Sequence, residues 1–216
     1  MEYTMIRFEN IDLIFGDKTI LSDFSLEIAQ GEKVVLTGRS GVGKSSLFAL
    51  LLGFVRPRNG RVLFGGTVVD ERTVWDLRRK VAFVDQDVSI GDCKVSDWFT
   101  FVAGIKANRS LDFREERILE LMDVFELNRD LLDKDISDLS GGERQRVAII
   151  VSVLLDRNVF LLDEVTSALD ANLKKKTADF FIAHRDWTVV SISHDTVWQD
   201  NPRVKVRDLG EDSWRQ

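Results

Sequence analysis

Short apolar, β-branched runs punctuate the chain at Lys33–Thr37, Val81–Val84, residues 159–162 and Thr188–Ile192, and each reads as a strand. Up to about Gln86 the pattern alternates like an antiparallel sheet around the Lys33–Thr37 strand, with Gly31, Asn59-Gly60 and Gly65-Gly66 as turn signals. From Asp87 to about Leu139 it becomes mainly helical. There Asp112-Phe113-Arg114-Glu115 has the form of a capping box, and Ile118, Met122 and Phe125 keep helical spacing on one face. Residues 45–52 read as a helix directly behind the first strand. Residues 144–155 read as another, with Ser140 and Glu143 at the N-cap and N3 positions of a second capping box. A helix after Asp170 and the last strands return the chain to the core. The expected organisation is one α/β domain over residues 1–216, with a core from residues 1–86 and 156–216 and a helical lobe from residues 87–155.

The loop between the first strand and its helix reads Gly38-Arg39-Ser40-Gly41-Val42-Gly43-Lys44-Ser45, followed by Ser46. It fits G-x-x-x-x-G-K-[ST] in the strand–loop–helix context that this motif needs. A glycine-rich turn by itself is only a turn. Here Gly38, Gly41 and Gly43 let the backbone curl with its N–H groups inward, so the loop and the helix N-terminus cradle phosphate oxygens. Lys44 is placed to reach β- and γ-phosphates, and the Ser45 hydroxyl to ligate the Mg²⁺ that bridges them.

A carboxylate must complete such a site from a neighbouring strand. Asp163 ends the apolar run 159–162, at the strand end where ligands bind in open α/β sheets, and is suited to hold Mg²⁺ through water. Glu164 follows at once, points differently, and is suited to orient or deprotonate an attacking water. The run Leu139-Ser140-Gly141-Gly142-Glu143-Arg144-Gln145 has a local explanation as a helix cap. A capped start with two adjacent glycines also exposes free N–H groups and the positive end of a helix dipole, which makes a second phosphate site. One nucleotide can hardly use both surfaces.

Together these residues resemble the nucleotide-binding domain of ABC ATPases across nearly the whole chain, and LSGGERQ is similar to that family's signature. The resemblance implies a P-loop NTPase of ABC type: a mainly parallel core sheet, an antiparallel β subdomain and a helical lobe carrying the signature. It implies ATP and Mg²⁺ as ligands, and a pair of domains sandwiching two ATP molecules head to tail. Ser140, Gly141 and Gly142 are then assigned to the partner's nucleotide. Gln86 looks like the Q-loop glutamine that touches Mg²⁺ and the attacking water. Ser167-Ala168-Leu169-Asp170 is similar to the D-loop at the dimer interface, and His194 matches the switch histidine at the γ-phosphate. Phe15 occupies the place of the aromatic that stacks on adenine; taken alone it reads more often as core than as a platform, because aromatics dominate cores. In that family the helical lobe receives a membrane-embedded partner. Residues 96–102, dense in aromatics, would supply its groove with Val88 and Ile90, or serve as the lobe's own core. The chain departs from the family pattern at Val165, where proline usually follows Asp-Glu, and at Val151-Ser152-Val153 after the signature.

Composition changes this picture little. A formal charge of −6 offers no basic surface for nucleic acid. Apolar stretches such as residues 47–55 are too short to span a bilayer, and Met1-Glu2-Tyr3-Thr4 lacks the basic start of a signal peptide. Cys93 is the single cysteine, consistent with a reducing cytoplasm and an inert thiol. Only 22 residues follow His194, too few for an appended regulatory domain in this stretch. The expectation is a cytoplasmic ATPase subunit, homodimeric on ATP and peripheral on the inner face of the membrane through an integral-membrane partner. The alternative is a soluble ABC ATPase in a non-transport process, although such proteins usually carry coiled-coil insertions or tandem domains that this sequence lacks.

Overall fold

The computed structural model describes residues 3–88 and 91–210. Strands β1 (Thr4–Phe15) and β2 (Lys18–Ala29) form a long hairpin, and β3 (Lys33–Thr37) runs through the glycine loop into α1 (Lys44–Leu51). Then come β4 (Asn59–Phe64), β5 (Thr67–Val68), α2 (Val74–Arg78) and β6 (Val81–Val84). Helices α3 (Val95–Gly104), α4 (Glu115–Val124) and α5 (Gly141–Leu154) follow. The chain closes with β7 (Val159–Asp163), α6 (Ala171–Ala183), β8 (Thr188–Ile192), α7 (Thr196–Gln199) and β9 (Val204–Asp208).

The described strands form two sheets. One is antiparallel, in the order β2-β1-β4-β5; the other is parallel, in the order β6-β7-β8-β3-β9. This corrects the expectation that the Lys33–Thr37 strand sits inside an antiparallel sheet reaching to Gln86, since β3 and β6 both belong to the parallel one. The physical reason lies in burial. Every residue of β3, β7 and β8 is buried, which suits a strand covered on both faces, whereas β1 alternates. Val34, Leu36, Leu161 and Val190 pack with Leu47 and Leu51 of α1 and with Ile6 and Phe8 of the antiparallel sheet. Val35, Phe160, Leu162 and Val189 face the other way, in one cluster with Ile150 of α5 and Phe181 of α6.

The Ser140 capping box forms. The Glu143 N–H donates to Ser140 Oγ at 3.2 Å and the Ser140 N–H to Glu143 Oε2 at 2.8 Å, so α5 starts at Gly141, ahead of the expected Arg144. The box at Asp112 does not form. Its carboxylate takes the Arg114 guanidinium instead, at 2.8 Å on each oxygen, and α4 begins at Glu115 behind an N-cap with no side-chain bond. In α3, Phe99 and Val102 are core, while Trp98 stacks on the exposed Phe101 with ring centres 5.6 Å apart. Val88 is half-buried, and Ile90 lies outside the described residues.

Candidate active site

Strands β6, β7, β8 and β3 are parallel neighbours, so their C-terminal ends share one edge. Gln86 follows β6, Asp163 ends β7, His194 follows β8 and Gly38 follows β3. This is the edge at which open α/β sheets bind ligands. At Gly43, the N-cap of α1, φ is 109°, and a Cβ there would lie 2.8 Å from Ile20 Cγ2. Glycine alone suits that combination of left-handed backbone and close approach. Lys44 follows, buried, its ammonium donating to the carbonyls of Gly38 at 2.7 Å and Arg39 at 3.2 Å.

These elements surround an open cavity of about 360 Å³. Phe15, Ser40, Gly41, Gly43, Lys44, Ser45, Ser46, Gln86, Asp163, Glu164 and His194 all line it. Phe15 is 47% exposed at the end of β1, so it is not core. Gly38, Arg39 and Val42 form the back of the loop and do not line the cavity; Val42 N–H donates to the Arg39 carbonyl at 3.3 Å. Ser140, Gly141 and Gly142 do not line it either. A Cβ on Gly142 would meet the Ala168 carbonyl oxygen of the same chain at 2.9 Å, whereas one on Gly141 would meet nothing within 4 Å.

Asp163 is 5% exposed, and burial pushes its carboxyl above the usual range. A hydrogen bond from Ser45 opposes that shift, Asp85 and Glu164 add to it, and Lys44 opposes it. At Glu164 the backbone turns left-handed, φ 47°, with its N–H on the Ile192 carbonyl at 2.9 Å. That conformation costs a non-glycine residue on the order of 1 kcal/mol. It takes the Glu164 side chain off the strand and into the cavity, 4.0 Å from His194 Nε2.

Lys18 and Ile20 line the same cavity and were not anticipated from sequence. The signal for Lys18 was its register opposite Phe15 across the Gly16-Asp17 turn. No group of three or more His, Cys, Asp or Glu suited to a metal occurs among the described residues. The three oxygen donors that Ser45, Asp163 and Gln86 bring to the cavity are too few for an all-protein cage. They fit an ion that arrives with phosphates and keeps several waters, as Mg²⁺ does.

A lysine-bearing phosphate loop beside a buried aspartate at a strand end, with a glutamate next to it turned into the cavity, places the chain among the P-loop nucleoside triphosphatases. Within that class it belongs to the ABC transporter family, whose description matches residues 21–167. It is an ATP-binding domain of that family, whose members hydrolyse ATP to power transport. An ATP-dependent lipid A-core flippase of Ralstonia nicotianae is 36% identical over 181 residues, covering 79% of this chain and 30% of that protein. The probable iron export ATP-binding protein FetA of Escherichia coli is 30% identical over 194 residues, covering 88% and 85%. A solved bacterial Atm1-family ABC exporter with ATP bound is similar with TM-score 0.82 and 26% identity, over 96% of this chain and 38% of that one. The chain thus spans about a third of the flippase and most of FetA.

Proposed function

We propose that this chain is the ATP-hydrolysing subunit of a transporter, pairing with a second copy on ATP and driving a separate integral-membrane subunit from the cytoplasmic face. The observation that carries the reading is the division of two phosphate-binding surfaces. Lys44, Asp163, Glu164 and His194 meet around one cavity, while the capped start of α5 lies apart from it. A second copy supplies the use for that start, its ATP meeting Ser140 and the N–H groups of Gly141 and Gly142, which the capping box leaves free. The ATP-bound exporter relative and the ATP-binding name of FetA support the nucleotide.

Phe15 stacks on adenine, and Lys18 lies beside it over the phosphates. The Lys44 ammonium exchanges the Gly38 and Arg39 carbonyls for β- and γ-phosphate oxygens, an exchange between acceptors already within its reach. Ser45 and Asp163, with Gln86 nearby, would hold the Mg²⁺ that arrives with the substrate, and that ion would neutralise phosphate charge. Glu164 orients the water whose oxygen attacks the γ-phosphorus. The bond to the bridging oxygen breaks, ADP leaves, and the water's proton passes to Glu164 or to the phosphate. His194 sits across the cavity mouth to contact the transferred group. The membrane subunit docks on the helical lobe, where Trp98 and Phe101 present a stacked aromatic pair beyond Gln86.

Replacing Glu164 by Gln tests this reading. ATP binding is expected to persist while steady-state hydrolysis falls at least ~10²-fold, the usual scale for a positioned base. Size-exclusion chromatography with ATP and Mg²⁺ is expected to show a dimer. Turnover within a few-fold of the parent protein would overturn the assignment.

A further inference from the structure

We propose that Asp195 is a positioning residue for hydrolysis: clamped by Thr166 and Lys174, it fixes His194 at the cavity and ties that histidine to the segment carrying Glu164. The proposal rests on the role given above to His194 and names what holds that role in place.

Thr166 lies two residues beyond Glu164 and is completely buried. Its hydroxyl donates to Asp195 Oδ2 at 2.6 Å, and the Lys174 ammonium, from α6, donates to Oδ1 at 2.6 Å. Both carboxylate oxygens are therefore engaged, by short charge-assisted bonds of the strong kind. The buried Trp198 indole N–H donates to the same Thr166 hydroxyl at 3.4 Å, and the Asp195 N–H to Ser193 Oγ at 3.1 Å. The Lys174 and Asp195 side chains are only about a quarter exposed, at 24% and 21%. Water and salt screen such a pair much less than a surface one.

His194 contrasts with this. Its side chain is 57% exposed, and its one polar contact among the described residues is the 4.0 Å approach to Glu164. Its direction is set by its backbone, and the next residue along is the clamped one. On the other side of the clamp the chain is equally tight. Ser167 donates to the Glu164 carbonyl through both N–H (3.0 Å) and hydroxyl (2.8 Å), and the Leu169 N–H donates to the Thr166 carbonyl at 3.1 Å. Ala168 then abuts Gly142 at the start of α5. The residue facing the γ-phosphate and the surface offered to a partner are joined by one short chain of contacts, with Asp195–Thr166 as its middle link.

The test uses the full chain. Thr166→Val, nearly isosteric, removes the hydroxyl, and Thr166→Ser restores it. Since a 1 Å misplacement costs up to about 10²-fold, kcat is expected to fall at least about tenfold in Thr166→Val, with KM and Kd for ATP within about twofold of the parent. Thr166→Ser is expected to recover the parental kcat, and Lys174→Met to repeat the loss should the valine variant fail to fold. In a His194→Ala background, adding Thr166→Val or Lys174→Met is expected to change turnover less than about twofold, because the clamp acts through the histidine. Parental kcat in the Thr166 and Lys174 variants, or a full independent loss in the His194→Ala background, overturns the proposal. If His194→Ala alone keeps parental turnover, the reading of His194 fails, and this proposal with it.

Discussion

Asp163 and Glu164 are adjacent in sequence and opposite in circumstance. Asp163 is taken into the strand end, where burial raises its pKa, while Glu164 is turned out by a left-handed backbone. A folded-state pKa above the unfolded value means that the ionised form costs stability, and that the cost fades as pH falls through the raised pKa. Asp163→Asn keeps an acceptor for Ser45 and removes the charge. It is expected to raise Tm by about 2–4 °C at neutral pH, with the gain shrinking in acid, while Mg²⁺-dependent ATP binding is lost. Thermal unfolding across pH, with and without nucleotide, checks both halves. At this scale much of the site was legible, because the phosphate loop, Asp163, Glu164, Gln86 and His194 all stand at ends of apolar runs. The Thr166–Asp195–Lys174 cluster was not, since its contacts join residues 29 and 21 positions apart and leave no periodic trace.

Among the elements, the start of α5 separates two glycines that sequence treats alike. Gly142 faces the Ala168 carbonyl, so any side chain there pushes on its own chain, while Gly141 faces open space. Gly142→Asp therefore confuses folding with pairing. Gly141→Asp adds a carboxylate in the first turn, where the helix dipole favours it, and leaves packing intact. It is expected to bind ATP as a monomer within about twofold of the parent affinity, as surface substitutions generally do. It is also expected to block the ATP-dependent dimer in the Glu164→Gln background, because a carboxylate repels the partner's phosphates. A dimer on size-exclusion chromatography would show that the signature is only a helix cap. The two expected capping boxes also differ instructively. The Ser140 hydroxyl carries no charge for a cation to take, whereas the Asp112 carboxylate paired with Arg114, and that two-pronged ion pair displaced the cap.

For the molecule as a whole, the mixed α/β class was readable from the alternation of apolar runs and helical periods, and the family resemblance implied a parallel core sheet beside an antiparallel one; that β3 and β6 belong to the parallel sheet was not readable. Lys33 shows what joins the distant parts. This lysine, 6% exposed at the start of β3, donates to the carbonyls of Gly31, His184, Arg185 and Trp187, at 2.9, 2.8, 3.3 and 2.6 Å. The last three lie in the turn after α6, at the negative end of that helix. Burial lowers the Lys33 pKa, and the carbonyls compensate the cation. Lys33→Met strips a donor from all four and is expected to destabilise by about 1–3 kcal/mol, lowering Tm on the order of 5 °C. ATP affinity below the transition is expected to stay near the parental value, as calorimetry can check.

The strand order has a consequence for how the protein is made. Strand β3, which presents the phosphate loop, takes both its neighbours from β8 and β9, with Lys33 opposite Val189 and Val204. As the polypeptide leaves the ribosome, the loop emerges well ahead of the strands that flank β3, and pairings so distant in the chain form slowly. Competence to bind nucleotide therefore waits until β8 and β9 have been made. A product broken off before Thr188 would carry the whole glycine-lysine motif and the Asp163-Glu164 pair, yet would bind no ATP. It would instead expose the apolar edge of an unfinished sheet to chaperones and proteases.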